Sequence, residues 1–415
     1  LLLVTFRLLQ GIGGALMIPG SLSLISSSIN AKERGKAIGT WSAFTTVVTM
    51  GGPILGGALA DAGLWRYIFF INIPFGIAAL LMLGFKVKET RDEGTDRSLD
   101  FPGAITIALG LALLTFGFLR IPAVGFNNIQ AYGSLIAGAF FLVIFIIIEI
   151  KSSHPMMPLK LFANATFSGA NLLTFFLYAG LGAGMLFQSL NMVQIQGYSQ
   201  LQSGLTFLPF TVLMITIARY AGSLADKYGP RLFLIVGPAL AGTGLLILSF
   251  IKQTNGPSFY WTTFFPGILV LGLGMSFTVA PLTAAVMGSV SDHFSGTASG
   301  INNAMTRISG VFANAIFGAL AVLFFSGALQ REIKALPLNT KDKQAIMQQA
   351  VDLGNAKVPA NISSVNKPVI EKAYHTGFIA AYANIMRISA ALGYLGALMS
   401  LLFIRSKVLV KDKNT

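Results

Sequence analysis

Apolar residues in this chain come in long uninterrupted blocks, and the charged residues collect in the gaps between them. Eleven blocks run near 1–28, 37–60, 67–85, 101–119, 129–150, 165–191, 203–222, 231–251, 261–288, 297–326 and 375–404. A helix rises 1.5 Å per residue, so roughly 20 apolar residues cross a hydrocarbon core of about 30 Å. The strands of an outer-membrane barrel would instead alternate apolar and polar over about 10 residues. The pattern therefore predicts an all-α polytopic membrane protein. The longest gap, 327–374, mixes both charges and is predicted to be an extracytoplasmic loop with a short helix around Asp342 to Leu353.

Composition agrees: of 415 residues, 54% are hydrophobic and 11% charged, with mean hydropathy +0.72, where soluble domains carry about 25% charged residues. The absence of cysteine excludes disulfide frameworks, Cys-based metal sites and thiol catalysis. A net charge of +14 would suit nucleic acid, but the placement of the charge explains it otherwise. With the first gap set as cytoplasmic, alternate gaps and the tail hold fifteen basic residues: Lys32, Arg34, Lys36, Lys86, Lys88, Arg91, Arg97, Lys151, Lys160, Lys227, Arg231, Arg405, Lys407, Lys411 and Lys413. The short outside gaps hold three, Arg66, Arg120 and Lys252. This is a positive-inside bias. It predicts a multi-pass protein of the cell (inner) membrane with the residue-415 end cytoplasmic, and no nucleic-acid partner.

Sliding the chain by 261 residues aligns Leu8–Ala60 with Leu269–Ala321 without a gap, giving 13 identities in 53 positions. Gly11, Gly13, Gly35, Ala37 and Gly39 fall on Gly272, Gly274, Gly296, Ala298 and Gly300. The run from Gly57 to Ala60 falls on the run from Gly318 to Ala321. The spacing holds across two helices and their loop, as in transporters built from two parallel halves. The same offset places the counterpart of Ala165 about 96 residues before Leu1, room for three further spans. Leu1 to Phe6 already read as the inside of a helix, so the chain is expected to start part-way through its fold. The domains expected are a partial N-terminal bundle over 1–86, a cytoplasmic linker over 87–100 and two inserted central spans over 101–150. A C-terminal six-helix bundle follows over 151–404, with the 327–374 loop inside it, and then a cytoplasmic tail over 405–415.

Four segments stand out from this apolar background. The run from Arg7 to Ala15 places an arginine inside an apolar block, at a cost of at least about 2.5–3.5 kcal/mol at the bilayer centre, so it should face the bundle interior or a water-filled cavity. Glycines at 11 and 14 follow it on a thin helix face. Gly52, Pro53, Gly56 and Gly57 make a bendable segment, because proline removes a backbone donor. Trp65 to Gly76 sets Trp and Tyr at a membrane interface. Gly222 to Arg231 fills a short turn in which Asp226, at the end of one helix, meets basic residues at the start of the next. Each segment also has an ordinary reading, as a snorkelling arginine, a packing kink, an interfacial belt or a solvated turn.

Together these segments resemble the drug:proton antiporter family of the major facilitator superfamily, in its fourteen-span branch. Arg7 to Ala15 are similar to the family's fourth-span arginine motif. Gly52-Pro53 with Gly56-Gly57 are similar to its antiporter motif, although Val48 stands where another glycine is usual. Trp65 to Gly76 resemble a segment typical of the branch, and Gly222 to Arg231 the second copy of the cytoplasmic gating motif. The resemblance implies a two-bundle fold with two extra central spans, 11 of about 14 spans being present. It implies that Arg7 is linked to proton movement and that Gly52, Pro53, Gly56 and Gly57 support the antiport cycle. It also implies that Gly222, Asp226, Gly229 and Arg231 form a gate in which Asp226 and Arg231 latch. The family's coupling carboxylate lies in the first span, and an Asp or Glu about 80–95 residues before Leu1 is expected to supply it.

The visible carboxylates fit that expectation, since all fifteen lie in gaps or at span ends. The substrate cavity is expected along the sixth visible span and its partners, from Gln10, Asn171, Phe175, Phe176, Tyr178, Met185, Gln188 and Asn191. That mixture of aromatic, thioether and amide groups suits bulky amphipathic ligands, though helix packing also explains each residue. Arg307 lies within a span near enough to its cytoplasmic end to snorkel, Arg387 lies more centrally without a visible partner, and the three histidines read as structural. No cofactor, no metal and no enzymatic chemistry is expected. The partners expected are a small-molecule substrate, protons and the lipid bilayer, with a periplasmic adaptor left open. A metabolite or sugar uptake symporter on the same fold and a non-transporting scaffold are the rival readings. Symporters tend to display intramembrane acids, and a scaffold needs neither repeated halves nor a gate.

Overall fold

The computed structural model describes residues 2–28, 45, 48, 51–52, 54–86, 100–125, 127–254, 256–291, 294–334, 336–360, 362–363 and 365–405. It divides into two compact units, Leu1–Arg97 and Ser98–Thr415. Among the described residues, nine helical segments are long and apolar enough to cross a membrane. Most of the block expected at 37–60 lies outside the described residues.

The first unit holds α1 (Leu2–Ser28), a helical run over 54–61, α2 (Tyr67–Phe70) and α3 (Asn72–Lys86). The 54–61 run ends in a tight reversal: Leu64 N donates to Leu59 O at 2.7 Å and Gly63 N to Ala60 O at 3.0 Å, with Gly63 at φ +72°. That pair of bonds is a Schellman stop, and its left-handed residue is best filled by glycine. The chain then re-enters helix at the interfacial residues Trp65 to Tyr67, where the Arg66 guanidinium lies 4.5 Å over the Trp65 ring.

The second unit begins with α4 (Phe101–Val124) and α5 (Ile129–Lys151), an antiparallel pair. Ala131, Gly138, Phe145 and Glu149 are the buried residues of α5 and form a single stripe. The exposed apolar side chains around it, such as Ile136 and Phe140, suit acyl chains, because every backbone group is already satisfied within the helix. Six longer helices follow: α6 (Ala165–Gln194), α8 (Leu208–Tyr228), α9 (Arg231–Leu248), α10 (Tyr260–Gly288), α11 (Ser295–Lys334) and α13 (Lys367–Phe403). The short helices α7 (Gln200–Leu205) and α12 (Thr340–Gln348) lie between them. α13 is central, touching α6, α9 and α11, and α4 packs on α11 with Phe118 and Phe312 edge to face at 6.4 Å.

Small residues set the closest approaches. A Cβ on Gly244 of α9 would lie 2.5 Å from the Leu271 backbone nitrogen of α10, and one on Gly393 of α13 would lie 2.9 Å from the Gly242 Cα. These helices meet backbone to backbone, the contact that replaces hydrophobic driving force inside a bilayer.

The expected 327–374 loop is shorter than hydropathy indicated. α11 continues to Lys334 and α13 starts at Lys367. The helix expected near 342–353 is present as α12, followed by a 3₁₀ turn over Gln349–Asn355. Hydropathy follows apolarity, whereas helical hydrogen bonds continue into water, and Arg331 and Lys334 favour the negative end of α11.

Candidate functional site

In the first unit, Arg7 of α1 donates from Nη1 to Gln10 Oε1 at 2.8 Å, and its guanidinium lies 5.6 Å over the Phe69 ring. An exposed arginine with one amide and one aromatic face to rest on is a fixed positive charge, because guanidinium does not release its proton. Within this unit no atom comes within 4 Å of a Cβ placed on Gly11, Gly13, Gly14, Gly52 or Gly56, while Gly57 is buried. Pro53 lies outside the described residues.

In the second unit, the candidate cavity residues of α6 fall into two groups. Asn171, Gln188 and Asn191 are buried inside the helix packing. Asn302 of α11 donates to Asn171 Oδ1 at 3.2 Å and to Thr174 Oγ1 at 2.7 Å. Seventeen residues further along α6, roughly 25 Å, Tyr382 of α13 donates to Gln188 Oε1 at 2.5 Å. Asn191 accepts from Gln196, whose side chain also bonds the Lys252 carbonyl and Thr254. Among the described residues the amide nitrogen of Gln188 has no partner, while the Asn191 side chain faces the Tyr382 hydroxyl. Beyond α6, the buried Tyr198 hydroxyl also lacks a partner, and desolvation pushes it above the ordinary phenol range, so it stays neutral. The second group, Phe175, Phe176, Tyr178 and Met185, is half-buried, with the two phenylalanines edge to face at 5.7 Å.

The turn from Gly222 to Arg231 joins α8 to α9. Gly229 ends α8 at φ +86°, a conformation side chains disfavour. Arg231 Nη2 donates to the Leu401 carbonyl at 2.9 Å, tying the start of α9 to the end of α13. A Cβ on Gly222 would sit 3.1 Å from Ala280 Cβ of α10. The Asp226 side chain lies outside the described residues.

Sequence reasoning missed three things here. Asn302 is the partner of Asn171, and its signal was the polar set Asn302, Asn303 and Thr306 inside an apolar block. Arg219 sits exposed within α8 and was passed over. Arg387 has a partner, lying 6.0 Å over the Phe250 ring.

Several known proteins are similar to this chain. The chain is 26% identical over 401 residues to the tetracenomycin C resistance and export protein of Streptomyces glaucescens, covering 96% of this chain and 74% of that protein. It is 28% identical over 359 residues to the multidrug resistance protein Stp of Mycobacterium tuberculosis, covering 86% of this chain and 65% of that protein, so it spans just under two thirds of Stp. Its fold matches the crystal structure of a bacterial homolog of the human lysosomal transporter Spinster, with TM-score 0.51 at 16% identity, over 92% of this chain and 74% of that one. Residues 1–314 match the Major Facilitator Superfamily. The chain is a multi-pass membrane transport protein of the Major Facilitator Superfamily.

Proposed function

We propose that this chain forms the substrate path and gate of a proton-coupled exporter of amphipathic, drug-like small molecules, working by alternating access in the fourteen-span plan. The observation that carries this reading is the half-buried Phe175, Phe176, Tyr178 and Met185 surface of α6 beside an amide network. A mixed aromatic and thioether surface accepts varied apolar ligands, and the amides orient them. Two relatives that match most of the chain carry export or multidrug resistance in their names.

In this reading Arg7 biases proton movement and Gln10 holds it in place. The 52–57 segment bends during the cycle, and the 222–231 turn closes the cytoplasmic side through Asp226 and Arg231. The domains divide as 1–86, 87–100, 101–150, 151–404 and 405–415, with the tail cytoplasmic in an inner membrane.

The test is efflux of fluorescent amphipathic cations from cells carrying the full-length protein, with and without a protonophore. Exclusion that collapses with protonophore supports the proposal. Substrate-dependent accumulation identifies a symporter and overturns it.

A further inference from the structure

The base of the α4–α5 pair holds two carboxyl groups, each with one buried oxygen that has no donor among the described residues. Asp100 caps α4, its Oδ1 accepting from Gly103 N at 2.8 Å. Glu149, at the far end of α5, is 3% exposed, and its Oε2 accepts from Met157 N at 3.0 Å. The start of α4 and the end of α5 pack together, which makes the two carboxyls neighbours, and the Met156 backbone N–H also faces Glu149. Each keeps one buried oxygen with no hydrogen-bond donor, Asp100 Oδ2 and Glu149 Oε1. Lys151, His154 and Lys160 lie in the same stretch, and among the described residues none donates to either carboxyl. His154 bonds Ser153 instead, at 3.1 Å.

Two ionised carboxylates sharing one dry site repel, and one proton between them converts that repulsion into a hydrogen bond. We propose that Asp100 and Glu149 form a proton-binding site that clasps the start of α4 to the end of α5 and to the connection at Met157. The proton sits on Glu149 Oε1 and is donated to Asp100 Oδ2. Asp100 lies at the positive end of α4 and Glu149 at the negative end of α5. Gly103 leaves the room for this arrangement, since a Cβ there would lie 2.6 Å from Asp100 Oδ2. Because α4 also packs on α11, the state of the clasp bears on the helix that carries Asn302. The site stands whether or not the protein exports drugs.

Infrared titration of the full chain in lipid bilayers tests this through the carbonyl stretch of protonated carboxyls. The wild type is expected to keep one protonated-carboxyl band at neutral pH that is lost in both Glu149→Gln and Asp100→Asn. In each variant the amide supplies the donor and the remaining acid ionises. Gly103→Ala, which keeps both acids, is expected to shift the midpoint of that band by about one pH unit, and it carries the test if either amide variant misfolds. A wild type without the band, or a band unchanged in all three variants, overturns the proposal. So does a band that appears only after sodium and magnesium are removed, because the site would then hold a metal cation.

Discussion

Tyr382 and Gln188 meet inside the six-helix part of the second unit, where neither side chain has water as an alternative partner. Tyr382→Phe would leave Gln188 Oε1 without its donor, beside an amide nitrogen that already lacks an acceptor. The expected cost is about 1–2 kcal/mol, read as a fall in the thermal unfolding midpoint in detergent. Tyr178→Phe is the control, since among the described residues its hydroxyl makes no hydrogen bond; an equal fall in both variants would remove the argument. Arg7 acts by charge and shape, because it keeps its proton. Arg7→Lys retains the charge and loses the planar fork over Gln10 and Phe69. Efflux by the full-length protein should fall at least about tenfold, or 1.4 kcal/mol, in Arg7→Ala, with Arg7→Lys in between. Unchanged efflux in Arg7→Ala takes Arg7 out of the proposed proton path. Arg7 was legible in the sequence because a charge inside an apolar block stands out. The rotation of Gln188 and Asn191 was not, because the polar residues of α6 are scattered among apolar ones and form no single polar face to fix which way each amide points.

The helices themselves were legible to within a few residues wherever charge marks the membrane edge, as at Lys151 and Arg231. They were misjudged where a helix leaves the membrane. α11 has 40 residues, about 60 Å of helix against a hydrocarbon core of about 30 Å, and hydropathy registers only the apolar part. Partners between helices are harder still to read, since a glycine looks the same at an open face and at a backbone crossing. Gly244 and Gly327 separate the two cases. A Cβ on Gly244 meets the Leu271 backbone at 2.5 Å, whereas one on Gly327 meets nothing within 4 Å. Gly244→Ala is expected to destabilise the α9–α10 contact by about 1–3 kcal/mol. Gly327→Ala should be neutral or stabilising by up to about 1 kcal/mol, from helix propensity. Unfolding of both variants in the same detergent gives the comparison, and a Gly244→Ala protein as stable as the parent would mean that the crossing is looser than the geometry shows.

At the scale of the whole chain, the repeat and the charge bias are the two sequence features that organise everything else. The second copy of the repeat is fully placed, as the α10–turn–α11 hairpin, apart from residues 292–293. In the proposed reading the charge bias assigns sides, with the connection after α5 expected in the cytoplasm and the segment between α11 and α13 expected outside. These 415 residues hold no cysteine, so with any cysteine elsewhere in the protein replaced, an introduced thiol is the sole site of labelling. Val365, 80% exposed, lies in the outer segment, and the exposed Ser153 lies in the inner connection. In intact cells expressing the full-length protein, a membrane-impermeant maleimide should label Val365→Cys, and should reach Ser153→Cys only after permeabilisation. Neither substitution touches a helix contact, so both proteins should insert normally. The reverse labelling pattern would place the basic gaps outside. It would invert the direction of the proposed gate at 222–231, and export through that gate would have to be abandoned.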